Sequence, residues 1–219
     1  MRGNLFQPSR VILSLDMSPL NRFFLFVFLS AVSLLAQAQG PLSWSRYLPA
    51  GNTDVTVSVR IDAAGDVWIA GHSAGGFEAY GANEPFQMTR KGGTDIFVAR
   101  FRPFPDGSAI PIFFTWLGGG GNEELVGMEL DSKGRVVLAG TTLSNDLPIA
   151  GDAFQTAFGG DVDSFVAVID PNAAGASSLV YSSYFGSARR EIARGLAVAS
   201  DGQVAVSYTH LTLPTNREV

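Results

Sequence analysis

Carboxylates are the side chains in this sequence that could do acid–base chemistry. Glu123 and Glu124 follow a glycine run at 118–121, and Asp131 lies a few residues further on. Two carboxylates at a suitable separation form a glycosidase pair, in which one protonates the leaving group and the other acts as nucleophile or base. Asp131, however, belongs to a turn that recurs along the chain. A carboxylate-dependent hydrolase or lyase acting on glycans is therefore an alternative function, since the separation depends on the fold.

Asp161 and Asp163, in the string GGDVDSF, are weak candidates for a calcium site. Calcium takes six to eight oxygen ligands, and the corresponding string GGTDIF keeps only Asp95. We expect the recurring aspartate to bond backbone amides at the start of a strand instead. The sequence thus predicts no metal site and no cofactor. It contains no cysteine, which excludes thiol catalysis, Cys-based zinc sites and disulfides.

The glycine run at 118–121 resembles a phosphate-binding loop only in its glycines. Such a loop needs a lysine followed by serine or threonine, and a helix N-terminus. Asn122, Glu123 and Glu124 follow here, and two carboxylates would repel a phosphate. We interpret the run as a turn. His72 is the only histidine before position 210, so the sequence offers no His-rich metal site there.

Two long segments between predicted strands, 72–92 and 141–160, are where binding is expected. Their sequences differ, and loops of this length on a rigid scaffold commonly hold binding residues. The candidate binding residues are Phe77, Tyr80, Asn145 and Asp146. A protein or a glycan is the expected partner. Nucleic acid is not, because the chain has a net charge of −5 and lacks the basic footprint that such binding needs.

The N-terminal residues have the pattern of a secretory signal. Arg22 precedes an almost unbroken apolar run at 23–35, and residues 36–38 (AQA) offer small side chains where a signal peptidase cleaves. We predict a signal peptide over residues 1–38, with Met17 as an alternative start, and an extracellular, cell-surface or periplasmic mature chain. A retained membrane anchor is the alternative, although a span needs roughly 20 apolar residues.

The C-terminal residues 206–219, VSYTHLTLPTNREV, break the pattern that precedes them. Residues 206–215 resemble the translation of an adapter used in sequencing libraries. We therefore predict a non-native tail over 206–219 that lacks a coherent core contact, although residues 206–209 can extend the strand begun at Gln203. The chain is then a fragment of a longer protein. The segment between the signal and this tail, residues 39–205, is the predicted repeat domain.

One string of seven residues recurs with small changes in this domain. GDVWIAG begins at Gly65 and GRVVLAG begins at Gly134, 69 positions later, and a partial copy, GQVAV, begins at Gly202. The strings around Asp95 (DIFVA) and Asp163 (DSFVA) recur at an offset of 68, as do an aromatic run and a Phe-Gln pair. A fixed long period indicates a repeat architecture.

Each unit predicts four short strands: the D-x-F-V-A run, the aromatic run, an alternating strand and the V-W-I-A-G strand. A glycine in the turn before each V-W-I-A-G strand suits a hairpin that needs positive φ. Four antiparallel strands per repeat describe the blade of a β-propeller, in which stacking of neighbours buries the faces. A twisted β-sandwich or a solenoid is the alternative, and it explains the long constant period less well.

The strings MELDSKGRVVLAG, FFTWLGGGG and AFQTAFGGDVDSFVA resemble the SBBP (seven-bladed β-propeller) repeats of bacterial exported proteins. The resemblance covers most of residues 41–205 and implies a family defined by architecture more than by activity. We therefore expect an exported, non-catalytic module that binds a partner or scaffolds other domains at the cell surface.

The repeats add up to about two and a half blades, whereas propellers close with four to eight. An unclosed array leaves an edge strand and one blade face bare. We therefore expect residues 39–205, expressed alone, to be aggregated, oligomeric or marginally folded. Downstream blades should convert them into a cooperative monomer, as thermal unfolding and sedimentation of both forms would show.

Overall fold

The computed structural model describes residues 54–76 and 79–209, except the side chain of Tyr80. The predicted signal at 1–38, the tail beyond Thr209 and the candidate residue Phe77 lie outside these residues. None of the described residues forms a helix that could cross a membrane.

The first sheet consists of consecutive antiparallel strands that are hydrogen-bonded in chain order. Its strands are β1 (Asp54–Ile61), β2 (Val67–Ser73), β4 (Asp95–Pro103) and β5 (Ala109–Leu117). The two-residue β3 (Tyr80–Gly81) pairs with the outer edge of β5.

The second sheet repeats this arrangement with four antiparallel strands. Its strands are β6 (Glu123–Leu130), β7 (Val136–Thr142), β8 (Asp163–Ile169) and β9 (Leu179–Phe185). Every residue of β7 and β8 is buried, because these central strands are covered on both faces and are rich in β-branched and apolar residues. A short 3-10 helix, Gly175–Ser178, precedes β9.

A two-stranded hairpin follows the second sheet and consists of β10 (Ile192–Val198) and β11 (Val204–Thr209). Together with the two sheets it confirms the predicted fold: all-β, built of propeller blades, in an incomplete array. Trp68 and Val137 occupy equivalent places, as the matched strings GDVWIAG and GRVVLAG predict. Trp68 lies between Arg60 and Arg100 in the first sheet, and Val137 lies between Glu129 and Val168 in the second.

Each sheet begins with the alternating strand and ends with the aromatic strand. A unit that starts at the D-x-F-V-A run therefore spans parts of two sheets. In each sheet a tight turn connects the alternating strand to the next strand. The glycines in these turns, Gly65 and Gly134, have φ values of 84° and 75°. Asp62 and Asp131 accept backbone N–H bonds across these turns. The glycine run at 118–121, in contrast, leads the chain from β5 into the next sheet.

Two interfaces hold the array together. The first junction, between the first and second sheets, contains the largest apolar cluster, to which Trp68, Val98, Met128 and Leu138 contribute. The second junction, between the second sheet and the hairpin, is smaller: Val137 and Val166 pack there against Leu196 and Val206. Full burial of such side chains stabilises by roughly 1.5–3 kcal/mol each.

The start of the predicted tail is part of this architecture. β11 extends as far as Thr209, which confirms that the strand begun near Gln203 continues into the tail. Val206 packs at the second junction, so the expectation that the tail makes no core contact is wrong at this residue. The resemblance of 206–215 to an adapter translation stays a prediction.

Candidate functional site

The candidate site lies where the glycine run at 118–121 meets the loop that follows β7. A cavity of about 450 Å³ opens between them, and we call it the loop pocket. Its lining residues are Gly120, Gly121, Leu143, Ser144, Asn145, Asp146 and Phe158. Polar groups and apolar side chains share this lining, so the pocket suits a ligand with both polar and apolar parts.

Two of the four predicted binding residues, Asn145 and Asp146, line the loop pocket, and both are exposed. The carboxylate of Asp146 is oriented by the backbone N–H of Gly120, which donates to its Oδ1 at 2.7 Å. Tyr80 lies elsewhere, in β3 beside Phe114 of β5. The fourth residue, Phe77, is outside the described part of the chain.

The rim of the loop pocket is held in place by Tyr184 of β9. Its buried hydroxyl accepts a hydrogen bond from the backbone N–H of Leu147 and donates one to the carbonyl of Ser144, both at 2.9 Å. Burial raises the pKa of Tyr184, so the phenol keeps its proton and can donate. The hydroxyl of Ser144 also accepts from the N–H of Gly121 at 2.8 Å. The pocket is thus pre-formed by the sheets beneath it.

Glu123, at the start of β6, lies buried beneath this rim with no measurable exposure. Its carboxylate accepts hydrogen bonds from the hydroxyls of Thr142 and Ser144 and from the N–H of Gly119. Burial raises the pKa of Glu123; the hydrogen bonds from Ser144, Thr142 and Gly119 oppose the shift, and the charge of Asp95 adds to it. Glu123 therefore links the glycine run to the loop.

Asp95, at the start of β4, approaches Glu123 from the first sheet and is equally buried. It accepts hydrogen bonds from the backbone N–H groups of Lys91 and Gly92 and from the side chain of Gln87. This agrees with the predicted role of the recurring aspartate, bonding backbone amides at a strand start. Gln87 also accepts from the N–H of Gly118 at 3.3 Å, which ties the glycine run to the same network.

The second junction contains the same arrangement. Asp163 accepts from the N–H of Gly159 at 2.8 Å and from the side chain of Gln155. Gln155 accepts in turn from the N–H of Gly186 at 2.9 Å. Glu191 is buried and accepts from the N–H and hydroxyl of Ser187. Burial raises the pKa of Asp163, and the charge of Glu191 adds to the shift against the bond from Gly159.

Sequence reasoning missed this buried carboxylate pairing, although a signal for it exists. Four matches share a single offset of 68, and each joins one position at the first junction to one at the second. They are Gln87 and Gln155, Asp95 and Asp163, Gly118 and Gly186, and Glu123 and Glu191. These four residue types recur at one constant offset. This recurrence indicates that both junctions contain the same polar network.

The two weak calcium candidates have different environments. Asp161 is 63% exposed in its side chain and lies 4.0 Å from the guanidinium of Arg190, whereas Asp163 is buried. Within residues 54–76 and 79–209, no group of three or more His, Cys, Asp or Glu side chains is arranged to hold a metal ion.

The three carboxylates considered for glycoside hydrolysis also lie in separate environments. Glu123 is buried, while Glu124 is exposed. Asp131 is bonded within its own turn, where it accepts from the N–H groups of Lys133 and Arg135 and from the guanidinium of Arg135 at 2.6 Å. The described geometry does not bring these side chains to one open cleft.

An apolar groove of about 450 Å³ lies at the second junction, between β8, β9 and β11. Val166, Tyr181 and Phe185 line one side of it, and Val204 and Tyr208 line the other. At the first junction the same side of the sheet is covered by the second sheet.

No protein-family model matches this chain, and no curated protein matches it.

Proposed function

We propose that this protein is an exported, non-catalytic repeat module that binds a protein or a glycan through the loop pocket, or scaffolds other domains. The SBBP-like strings and the signal-like residues 1–38 support export to the cell surface or beyond. The loop pocket supports binding, because it is pre-formed and open and its lining mixes polar and apolar groups.

One observation carries the proposal: the buried carboxylates are used in hydrogen bonds within the protein, whereas an exposed carboxylate lies at the loop pocket. Asp95, Glu123, Asp163 and Glu191 are buried and accept hydrogen bonds from the protein's own amides and side chains. Asp146, in contrast, is exposed beside Asn145 on a loop whose sequence differs from its counterpart in the first repeat. Variable polar residues on a rigid repeat scaffold are typical of a binding surface.

The second candidate is a carboxylate-dependent hydrolase or lyase that acts on glycans. The approach of Asp95 to Glu123 favours it, because paired carboxylates at short separation perform glycoside hydrolysis. Both side chains are inaccessible, however, and a general acid must reach the glycosidic oxygen directly or through one water. The binding module therefore fits the described geometry better.

Glycan and peptide arrays probed with the purified chain test the proposal, with Asn145→Ala as the pocket variant. Asp152→Ala is the matched control, since Asp152 is exposed on the same loop and does not line the pocket. We expect one ligand class to bind the chain and the control equally, and to bind Asn145→Ala at least tenfold more weakly. Equal binding by all three would exclude the pocket, absence of any bound class would contradict ligand binding and leave the scaffold role, and cleavage of an arrayed glycan would favour the hydrolase.

A further inference from the structure

Two buried acids from successive sheets lie close together at the first junction, and two buried acids occupy the matched positions of the second junction. At the first junction Asp95 begins β4 of the first sheet and Glu123 begins β6 of the second. At the second junction Asp163 begins β8 of the second sheet, and Glu191 immediately precedes β10 of the hairpin. All four residues are fully inaccessible.

The first pair is close because a glycine separates it. A Cβ atom added to Gly118 would lie 2.6 Å from Asp95 Oδ2 and 2.6 Å from Glu123 Oε2, so these oxygens are no further apart than twice that distance. At the second junction a Cβ atom at Gly186 would lie 2.2 Å from Asp163 Oδ1. This oxygen is buried and has no hydrogen-bond partner among the described residues.

The groups that bond these acids are neutral. Asp95 is bonded by Gln87 and two backbone amides, and Glu123 by two hydroxyls and one amide. None of the ion pairs among the described residues includes a member of either pair. Two negative charges would therefore share a buried space with no bonded cation to balance them, which is the situation in which one of two acids stays protonated.

Other titratable groups near the first pair do not supply that cation. Asp146 and Glu124 are acidic, and burial of Tyr184 keeps its phenol neutral. Burial lowers the pKa of His72, against a smaller opposing effect of Glu124, and its ring accepts a hydrogen bond from the N–H of Leu125. Among the described residues, Arg90 donates only to the backbone carbonyls of Gly75, Gly92 and Gly93. Lys91 is exposed.

The surroundings of the second pair are similar. Arg189 and Arg190 are exposed, and Arg190 is directed to Asp161. Tyr184 lies between the two junctions. Burial is the largest cause of its raised pKa, and the charges of Asp146, Asp163 and Glu123 add to it.

We propose that each acid pair shares one proton and that this proton holds successive sheets together, so that its release loosens both junctions. Loss of the proton to solvent turns an acid–carboxylate pair into two carboxylates, one from each side of the junction. Their repulsion then acts directly between the sheets. This role of the shared proton does not depend on which ligand the loop pocket binds.

The direction of the pH dependence follows from the raised pKa values of Glu123 and Asp163. For both groups burial is the largest cause, and the neighbouring acid of the pair adds to it. A group whose pKa is raised by folding contributes stability that is complete below the ordinary carboxyl pKa and lost as pH rises through the raised value. Within that window the unfolding equilibrium constant rises about tenfold per pH unit for each proton retained.

Denaturant unfolding of the whole chain across pH 4 to 9 tests the proposal, with Glu123→Gln/Glu191→Gln as the variant. Glutamine resembles the protonated acid, so the double variant should lose most of the pH slope that the unmodified chain shows. Glu124→Gln removes one exposed charge beside the first pair and should keep the slope. A double variant with the slope of the unmodified chain would overturn the proposal.

Infrared spectroscopy gives a second measurement that needs neither reversible unfolding nor a folded variant. An ordinary carboxyl has a pKa of about 4 and is almost fully ionised above pH 6. We expect the carbonyl band of a protonated carboxyl to persist above that pH in the unmodified chain and to disappear on unfolding. Absence of the band above pH 6 would show that no proton is shared.

Discussion

Phe86 and Phe154 occupy the same position of the repeat, but their surroundings differ. Phe86 is partly buried against the apolar cluster of the first junction, whereas Phe154 is 79% exposed and stacks on Phe185. The cluster against which Phe86 packs contains residues of both sheets. Among the described residues, only β10 and β11 follow the second sheet at the second junction, where the apolar groove opens beside Phe185. The same residue is therefore partly buried or exposed according to what the next blade supplies.

The first strands of the two sheets differ in the same way. Val59 of β1 and Met128 of β6 are 69 positions apart in the repeat. Val59 is 52% exposed, and Met128 is fully buried between the two sheets. Burial at this repeat position thus depends on the neighbouring blade, as expected of a repeat protein. Paired substitutions at matched positions test this interpretation.

The largest difference is expected between Met128→Ala and Val59→Ala. Met128→Ala should lower the free energy of unfolding by about 2–5 kcal/mol, because it removes a fully buried side chain and leaves a cavity. Val59→Ala should change it by less than about 0.5 kcal/mol, as is usual for exposed positions. Denaturant unfolding of both variants measures the contrast. Equal losses would mean that β1 is covered as well as β6.

A glycine between the paired acids gives the next test. Gly118→Ala should cost about 1–3 kcal/mol through overpacking, because the new methyl group would lie 2.4 Å from the carboxyl carbon of Asp95. Gly76→Ala is the control, since no heavy atom of the described residues lies within 4 Å of its added Cβ. Unfolding midpoints that fall equally in both variants would refute the close approach at the first junction.

Phe86→Ala and Phe154→Ala compare the two junctions at a single repeat position. We expect a loss of about 1.5 kcal/mol for Phe86→Ala, the lower end for a side chain that is only partly buried. Phe154→Ala should cost less than about 1 kcal/mol, chiefly the stacking on Phe185 with ring centroids 5.4 Å apart. The reverse order in a thermal unfolding series would show that something covers Phe154 in solution.

The smallest effect is expected for the ion pair between Arg60 and Glu129, which joins β1 to β6 across the first junction. Both side chains are partly exposed, at 39% and 27%, so a double-mutant cycle with Arg60→Gln and Glu129→Gln should give a coupling of about 0–1 kcal/mol. Added salt should reduce it further. A coupling well above this range would give the junction a second electrostatic connection besides the buried acids.

Strand positions, turn positions and the period were predictable from the sequence because they depend on local information. Alternation of apolar residues and a glycine at each tight turn act over a few positions, and the constant offset locates equivalent strands such as those of Trp68 and Val137. Asn145 and Asp146 could be selected as loop residues for the same reason. The pocket that they line could not be predicted, because its other wall, the glycine run at 118–121, belongs to the connection between two sheets.

The sequence by itself determined that this chain is built of repeated antiparallel strands, since each strand is specified by its own residues. Only the tertiary structure decided which carboxylates meet. Asp95 and Glu123 belong to different sheets and come together because Gly118 has no side chain to separate them. The energy of such a pair depends on burial and on distance. Neither quantity exists until one blade has packed against the next.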